Sequence, residues 1–300
     1  MERSLAWRLG LGSAMIPALI ALFVIDYQLG EAAPFLFLFC MFLTLRSAWE
    51  MCRLLTVRQL KPQFLVVATG CIALMLAAWW QHLPGRSVDD GNSIALAPVG
   101  LVMSLCVLLV LAAEAIRFRG PGHSMESIGA NLLAIAYAGF LLAITAQLRW
   151  MAGGEHGYLL LGSLIVATKV GDIGGYAAGR LFGRTKMSPY LSPGKTWAGC
   201  VGAIVGAMLG TVLWLTFGVQ MFDGISKPPA VWACLMFGGI IGLVGLIGDL
   251  CESLIKRDVG QKDSAPLMPG FGGLLDILDS ILFAGPVACL LWYVLPLKTW

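Results

Sequence analysis

Charged residues are scarce in this 300-residue chain: Asp, Glu, Lys and Arg make up 12% of it, against 58% hydrophobic residues. No hydrophilic stretch is long enough to form a separate soluble domain. The alternation of apolar and polar residues that marks a membrane β-barrel is also absent. A mean hydropathy of +0.83 and repeated apolar runs of about 20 residues instead predict helices that span a membrane.

Cysteine pairs and internal repeats are missing as well. The eight cysteines are scattered through or beside the apolar runs and form no CxxC pair. They give no zinc or dithiol motif, so we interpret them as small apolar packing residues. Neither a short internal repeat nor the inverted symmetry of many secondary transporters is evident.

The apolar runs predict the architecture. Backbone polar groups inside a bilayer must be satisfied within their own segment, so each run is expected to form a helix. The expected fold is an all-α, polytopic integral membrane helix bundle with about nine transmembrane helices. The predicted spans are residues 9–29, 33–53, 63–83, 94–114, 128–148, 157–180, 198–218, 230–250 and 274–296.

Chemistry-bearing residues are unevenly distributed along this single membrane domain. Residues 1–150 carry their polar residues in short loops and are interpreted as N-terminal scaffold helices. Residues 151–300 are the candidate catalytic region, with cytoplasmic loops at 181–197 and 251–275. If the N-terminus lies inside, fifteen Lys and Arg residues fall on the cytoplasmic side and four outside. This excess predicts a protein of the cytoplasmic (inner) membrane whose functional site faces the cytoplasm.

The sixth predicted span contains two ionisable residues, Lys169 and Asp172. Their spacing places both on one helical face. Ionisable groups at membrane depth are costly and usually functional, although a mutually neutralising pair can be structural.

A basic loop, GRLFGRTKMSPYLSPGKTWAG, follows this span from Gly179 to Gly199. Its GKT at residues 194–196 is not a P-loop, because Pro189 stands where the first glycine is required and no strand precedes it. One interpretation is a phosphate-binding loop in which Lys195 supplies charge and Ser192 and Thr196 supply hydrogen-bond donors. The other is a loop held at the lipid surface by its basic residues.

Two helix ends near the C-terminus carry paired carboxylates. Asp249, Glu252 and Lys256 follow i, i+3, i+7 spacing, and Asp276 and Asp279 are again three residues apart. Clustered carboxylate oxygens suit a hard cation such as Mg²⁺, which is usually bound by a few carboxylates and by substrate phosphates. Neighbouring cations would hold phosphate oxygens, which together indicates phosphoryl or nucleotidyl transfer. A solvated network of ion pairs is the alternative.

The run SLIKRDVGQKDSAPLMPGFGGLLDILDS resembles the signature of the phosphatidate cytidylyltransferase (CDP-diacylglycerol synthase) family. DIGGY at 172–176 and SPGKTWAG at 192–199 are similar to two further elements of that family, in the expected order. The three elements cover about the C-terminal 130 residues, whereas the first half resembles the family only in being hydrophobic. The signature positions are Ser253, Lys256, Arg257, Lys262, Asp263, Pro269, Gly270, Gly272, Gly273, Asp276 and Asp279.

The sequence departs from the family pattern at four positions. Phe271 replaces the usual histidine of PGHGG, and Ile277 replaces an arginine. Gly194 and Ala198 replace a lysine and a glutamate. The carboxylates, the two signature lysines and Arg257 are retained, so the resemblance still implies an active enzyme.

The resemblance implies a nucleotidyltransferase that converts CTP and phosphatidate into CDP-diacylglycerol and pyrophosphate with Mg²⁺. Its implied metal ligands are first Asp249 and Asp276. Asp279 and Asp263 come next, as ligands or as groups that orient the lysines. The implied phosphate-binding cations are Lys195, Lys256, Arg257 and Lys262, and Asp172 would complete the polar floor of the cavity. The remaining implied substrate-binding residues are Ser192, Thr196, Ser253, Gly272 and Gly273.

Two other functions are weighed against this one. A CTP-dependent polyprenol or isoprenoid-alcohol kinase would need a general base to deprotonate its alcohol, which the signature does not favour. A secondary transporter would place its charges near the bilayer midplane rather than at one face.

The expected partners are CTP, phosphatidate and membrane lipid, with no nucleic acid. A homodimer and a second, monovalent cation stay open.

Overall fold

The computed structural model describes residues 2–83, 96–222, 227–266 and 272–299, with side chains described from Met15 onward except at residues 154–155. These residues form ten α-helices and one antiparallel two-stranded hairpin. The helices are α1 Glu2–Gln28, α2 Pro34–Val57, α3 Phe64–Trp79, α4 Leu96–Arg117, α5 Ser124–Ala134, α6 Leu141–Ala146, α7 Gly153–Phe182, α8 Trp197–Phe217, α9 Val231–Asp258 and α10 Leu275–Val294; the strands are β1 Lys186–Ser188 and β2 Ser192–Thr196.

The all-α, polytopic membrane fold predicted from the sequence is confirmed. Eight helical segments among the described residues are long and apolar enough to cross a membrane. The first predicted span coincides with α1, of which the apolar stretch Met15–Gln28 has described side chains. The fifth is the continuous segment Ser124–Arg149, in which α5 and α6 are joined by a π-helical turn at Ile135–Phe140.

The chain divides into two compact units. The first comprises Met1–Ile144 and Asp258–Ile277, and the second comprises Thr145–Arg257 and Leu278–Trp300. The segment that follows α9 therefore packs with the N-terminal helices, although the sequence suggested that those helices carry little chemistry.

The first unit is built on α2, α3, and the segment from α5 to α6. Met51, Leu74, Met75 and Ile135 are fully buried in its core. Gly139, in the π-helical turn, lies so close to α3 that a Cβ there would be 2.9 Å from the Cys71 sulfur. Close packing of this kind requires a residue without a side chain.

The second unit is organised around a tight pairing of α7 with α8. A Cβ at Gly174 would overlap the carbonyl oxygen of Gly202 and lie 3.2 Å from the Cα of Gly206. Small residues let helix backbones approach in this way, which compensates for the weak hydrophobic drive between helices in lipid. Two series of glycines at every fourth position, Gly171, Gly175 and Gly179 in α7 and Gly202, Gly206 and Gly210 in α8, are explained by this packing.

We expect Gly174→Ala to destabilise the protein by about 1–3 kcal/mol, because the added methyl group forces α7 and α8 apart. Gly100→Ala in α4 is the matched control, since a Cβ at Gly100 meets no atom within 4 Å. The measurement is thermal unfolding in detergent. A Gly174→Ala melting temperature equal to that of the control would contradict the close pairing.

Helix α9 is longer than the predicted span, which ended at residue 250. It continues to Asp258, because the charged turn after the apolar run consists of good helix formers, including Glu252, Leu254 and Lys256. The acidic and basic side chains near its end are therefore held on one rigid element.

Candidate functional site

Three carboxylates of the second unit converge in one place. Asp249 and Glu252 lie three residues apart in α9, and Asp279 belongs to α10. One oxygen from each carboxylate lies within 4.8 Å of the others. Gly248 allows this approach, because a Cβ at that position would be 2.8 Å from the carbonyl oxygen of Asp279. We call Asp249, Glu252 and Asp279 the acidic cluster.

Two lysines partly neutralise the acidic cluster. Lys195 Nζ lies 2.9 Å from Asp249 Oδ2, and Lys256 Nζ lies 2.6 Å from Glu252 Oε2. The Lys256–Glu252 pair is buried, with side-chain exposures of 10% and 2%. Asp279, also buried, accepts hydrogen bonds from the backbone N–H of Ser280 at 2.5 Å and from its hydroxyl at 3.1 Å. With all five groups ionised, three negative charges face two positive ones.

The donor set of the acidic cluster fits a hard divalent cation. It offers three carboxylate oxygens in one small volume, two of them on buried side chains. Because the formal charge of the cluster with its two lysines is negative, adding a cation relieves repulsion among the acids. Mg²⁺ is bound in proteins by few carboxylates, with the remaining positions left to water or substrate phosphate.

Two of the three acids, Asp249 and Asp279, were predicted as metal ligands, whereas Glu252 was not. The signal for Glu252 was present in its i, i+3 relation to Asp249. Sequence spacing alone could not show that α10 brings Asp279 to the same face of α9.

The basic loop predicted to bind phosphate forms the β1–β2 hairpin. Lys186 pairs with Thr196, and Ser188 pairs with Ser192. Lys195 extends from β2 to Asp249 and also donates to the carbonyl oxygen of Leu246 at 3.3 Å.

Hydrogen bonds hold the same hairpin at the end of β2 and at its turn. The Thr196 hydroxyl accepts a hydrogen bond from the backbone N–H of Gly199 at 3.1 Å, and so caps α8. Arg257 donates through Nε to the carbonyl oxygen of Leu191 at 3.2 Å. The structure thus gives Thr196 and Arg257 roles in local geometry, and their predicted substrate contacts stay predictions.

Asp172 lines the same narrow cleft as Asp249, together with Thr168 of α7. It also pairs with Lys169, whose Nζ lies 3.0 Å from Asp172 Oδ2. This places the predicted polar floor beside the acidic cluster. Ser253, one turn after Asp249, donates to Asp249 Oδ1 over a long 3.5 Å.

Asp276 and the loop before it belong to the first unit. Asp276 Oδ2 accepts from the Gly273 N–H at 2.7 Å, the Ser264 N–H at 2.9 Å and the Ser264 hydroxyl at 2.8 Å. A cation bound by Asp276 would share its carboxylate with these donors. The metal role predicted for Asp276 stays a prediction.

The glycine-rich turn is only partly described. Gly272 has φ +89°, a left-handed conformation that favours glycine, and a Cβ there would lie 2.5 Å from Asp276 Oδ2. Lys262 and Asp263 are exposed. Pro269, Gly270 and Phe271, including the departure from the family histidine, lie outside the described residues.

Comparison with known proteins identifies relatives along most of the chain. A family model described as "Cytidylyltransferase family" matches residues 8–295. A Mycobacterium bovis protein named phosphatidate cytidylyltransferase is 36% identical over 228 residues, covering 74% of this chain and 68% of that protein. The Pseudomonas aeruginosa protein of that name is 33% identical over 248 residues, covering 82% and 83%.

Coverage differs among the relatives. The chain spans 64% of the length of a Mycobacterium tuberculosis protein with the same name, slightly less than two thirds. The Staphylococcus saprophyticus protein of that name is 29% identical over 276 residues, which is 91% of this chain and 95% of the relative.

Proposed function

The chain belongs to the cytidylyltransferase family, and from that premise we propose that it transfers the cytidylyl group of CTP to phosphatidate. The products are CDP-diacylglycerol and pyrophosphate. The observation that carries the proposal is the acidic cluster on the membrane-spanning helices α9 and α10, paired with Lys256 of α9 and Lys195 of β2. Anionic phosphates and a hard cation are the ligands that this arrangement accommodates.

The proposed reaction asks little covalent chemistry of the protein. A phosphatidate oxygen attacks the α-phosphorus of CTP, a new P–O bond forms, and the bond to the β-phosphate bridging oxygen breaks as pyrophosphate leaves. A phosphate monoester has a second pKa of about 6, so the nucleophile is already ionised near neutral pH. Catalysis then depends on positioning and on neutralising charge.

In this proposal the lysines bind phosphate oxygens. An ammonium group has three donors, so Lys195 can keep its contact with Asp249 and still donate to a phosphate oxygen. Lys256 is fixed by Glu252 in the same way. For Lys262, the signature resemblance supports a contact with the triphosphate.

We propose Mg²⁺ as the cofactor, held by Asp249, Glu252 and Asp279. When bound, it would neutralise charge on the phosphate oxygens as they rearrange. The support is the donor chemistry and negative charge surplus of the acidic cluster.

The test is to supply purified protein with labelled CTP and Mg²⁺ in mixed micelles. Label from [α-³²P]CTP should enter chloroform-extractable lipid with phosphatidate, whereas label from [γ-³²P]CTP should be released as pyrophosphate. An isoprenoid alcohol that acquires the γ-label would identify a kinase instead. Failure to modify either lipid would contradict both enzymatic functions.

We further propose that the site faces the cytoplasm of the inner membrane, which the excess of basic residues on that side supports. In a background lacking the native cysteines, Tyr190→Cys is the reporter, because Tyr190 is 94% exposed at the hairpin turn. We expect an impermeant maleimide to label it in inverted vesicles and not in intact cells. Pro228→Cys, in the exposed segment before α9, should show the opposite pattern. Reversed labelling would contradict the proposed access of CTP.

A further inference from the structure

A buried carboxylate in α2 contacts the loop that precedes α10. Glu50 is 0% exposed. Its Oε1 accepts from the backbone N–H of Leu274 at 3.0 Å, and its Oε2 accepts from the N–H of Leu275 at 3.0 Å and from the Ser264 hydroxyl at 3.1 Å. These contacts join residues more than two hundred positions apart in the chain.

Glu50 supplies an N-terminal cap for α10. The first N–H groups of a helix have no acceptor within the helix, and the helix dipole makes that end favourable for an anion. Leu274 and Leu275 are such donors, and their side chains are 5% and 1% exposed. The start of α10 is therefore held to α2 by hydrogen bonds, and Leu274 and Leu275 are buried.

The Ser264 hydroxyl lies between Glu50 and Asp276, 3.1 Å from Glu50 Oε2 and 2.8 Å from Asp276 Oδ2. It has one hydrogen, which the two carboxylates share. A Cβ at Gly273 would overlap this hydroxyl and lie 2.5 Å from Glu50 Oε2. Gly273, the last glycine of PGFGG, is thus required by the approach of Glu50 and Ser264.

The charge of Glu50 is balanced within its own helix. Arg46 Nη2 lies 3.0 Å from Glu50 Oε1, one turn earlier, and the guanidinium stacks 4.3 Å from the ring centroid of Trp49. An acid inside an apolar span is costly and typically functional. Among the described residues, its other acceptor contacts are all to Ser264, Leu274 and Leu275.

A second, exposed contact joins α2 to the start of the same segment. Arg58, which caps the C-terminus of α2, forms an ion pair with Asp258. Exposed pairs of this kind contribute little to stability. Glu50 is therefore the main polar attachment between α2 and this segment among the described residues.

We infer that Glu50 is a positioning residue for the transfer reaction. It fixes the loop that carries Lys262 and Asp263, and it orients Asp276 through Ser264. The inference rests on the proposed function, since the loop residues act on CTP in that proposal. The first half of the chain is then part of the catalytic apparatus rather than scaffold alone.

The test compares Glu50→Gln with Glu114→Gln. Glutamine keeps the shape of Glu50 but turns one acceptor into a donor, so it cannot accept from both Leu274 and Leu275. Glu114 is a partly buried acid of the same unit that accepts from Ser127 at 3.0 Å and from Gln63 at 3.5 Å, and its variant is the matched control. Hydrogen exchange without substrate measures how well the amides of Leu274 and Leu275 are protected. Steady-state kinetics measures kcat/KM and KM for CTP.

In Glu50→Gln we expect amide exchange at Leu274 and Leu275 to accelerate about tenfold or more and kcat/KM for CTP to fall about 10–100-fold, as for partners that orient a ligand. The KM for CTP should rise, because the loop cation Lys262 is displaced. Glu50→Asp, which keeps the charge, should recover part of the kcat/KM. Glu114→Gln should leave both measurements at wild-type values.

Several outcomes would overturn the inference. Unchanged exchange at Leu274 and Leu275 would show that Glu50 does not hold the loop. A lower kcat with unchanged KM for CTP would indicate a purely structural role. If Glu50→Gln does not fold, Gly273→Ala tests the same contact from the loop side and should give the same exchange and KM changes. Amide exchange is measured without substrate, so it tests the contact of Glu50 with the loop whether or not the protein is active. A wild-type protein that makes no CDP-diacylglycerol would refute the proposed function only.

Discussion

The Asp249→Asn variant should lose about 10³-fold in Mg²⁺-dependent cytidylyl transfer while remaining folded. Asp249 is the member of the acidic cluster that joins α9 to Lys195 of the β1–β2 hairpin, with 2.9 Å between the charged atoms. Removing the charge of Asp249 weakens the cation site and also releases Lys195 from its ion pair. Metal stabilisation of transition-state charge is worth several kcal/mol, and about 4 kcal/mol corresponds to 10³-fold in rate.

The measurement is kcat/KM for CTP across a Mg²⁺ titration, with folding checked by thermal unfolding. Glu126→Gln is the control, since Glu126 is half exposed and pairs only weakly with His123 at 3.9 Å. Carboxylates that hold one cation act as a unit, so Asp249→Asn combined with Asp279→Asn should be little worse than either change alone. If Asp249→Asn has wild-type activity and an unchanged Mg²⁺ requirement, Asp249 is not a metal ligand.

One part of the site has a local sequence signal, although the metal ligands were predicted from the family resemblance and Glu252 was not among them. The i, i+3 spacing of Asp249 and Glu252 follows from the helical repeat, and any helix through these residues places them on one face. The predicted spans likewise follow from apolar runs, which are properties of consecutive residues. Both could be found without knowing the tertiary structure.

The remaining features depend on contacts between distant segments. Ser264 is 214 residues from Glu50 in the chain, and nothing in the intervening sequence indicates that they meet. A signal was nevertheless present, since Glu50 is the one acidic residue of α2. The β1–β2 hairpin was expected as a loop because SPGKT lacks the β-branched and aromatic alternation typical of a strand.

Replacing Lys256 tests whether the buried pair is needed for the fold, the reaction or both. Lys256→Met keeps the length of the side chain but leaves Glu252, whose side chain is 2% exposed, without the cation 2.6 Å away. The two other acids of the cluster lie within 4.8 Å, so their repulsion increases. Breaking one partner from a buried pair costs about 3–5 kcal/mol, and we expect a loss of stability of that size.

The double variant Glu252→Gln/Lys256→Met should recover most of this stability, because no uncompensated charge is then buried. It should not recover the transfer reaction, since both the proposed cation ligand and the proposed phosphate contact are gone. Thermal unfolding in detergent and kcat/KM for CTP, measured on the two single variants and the double variant, separate these effects. A stable but inactive Lys256→Met would mean that the pair serves the reaction alone, whereas an active double variant would place both the cation and the triphosphate elsewhere.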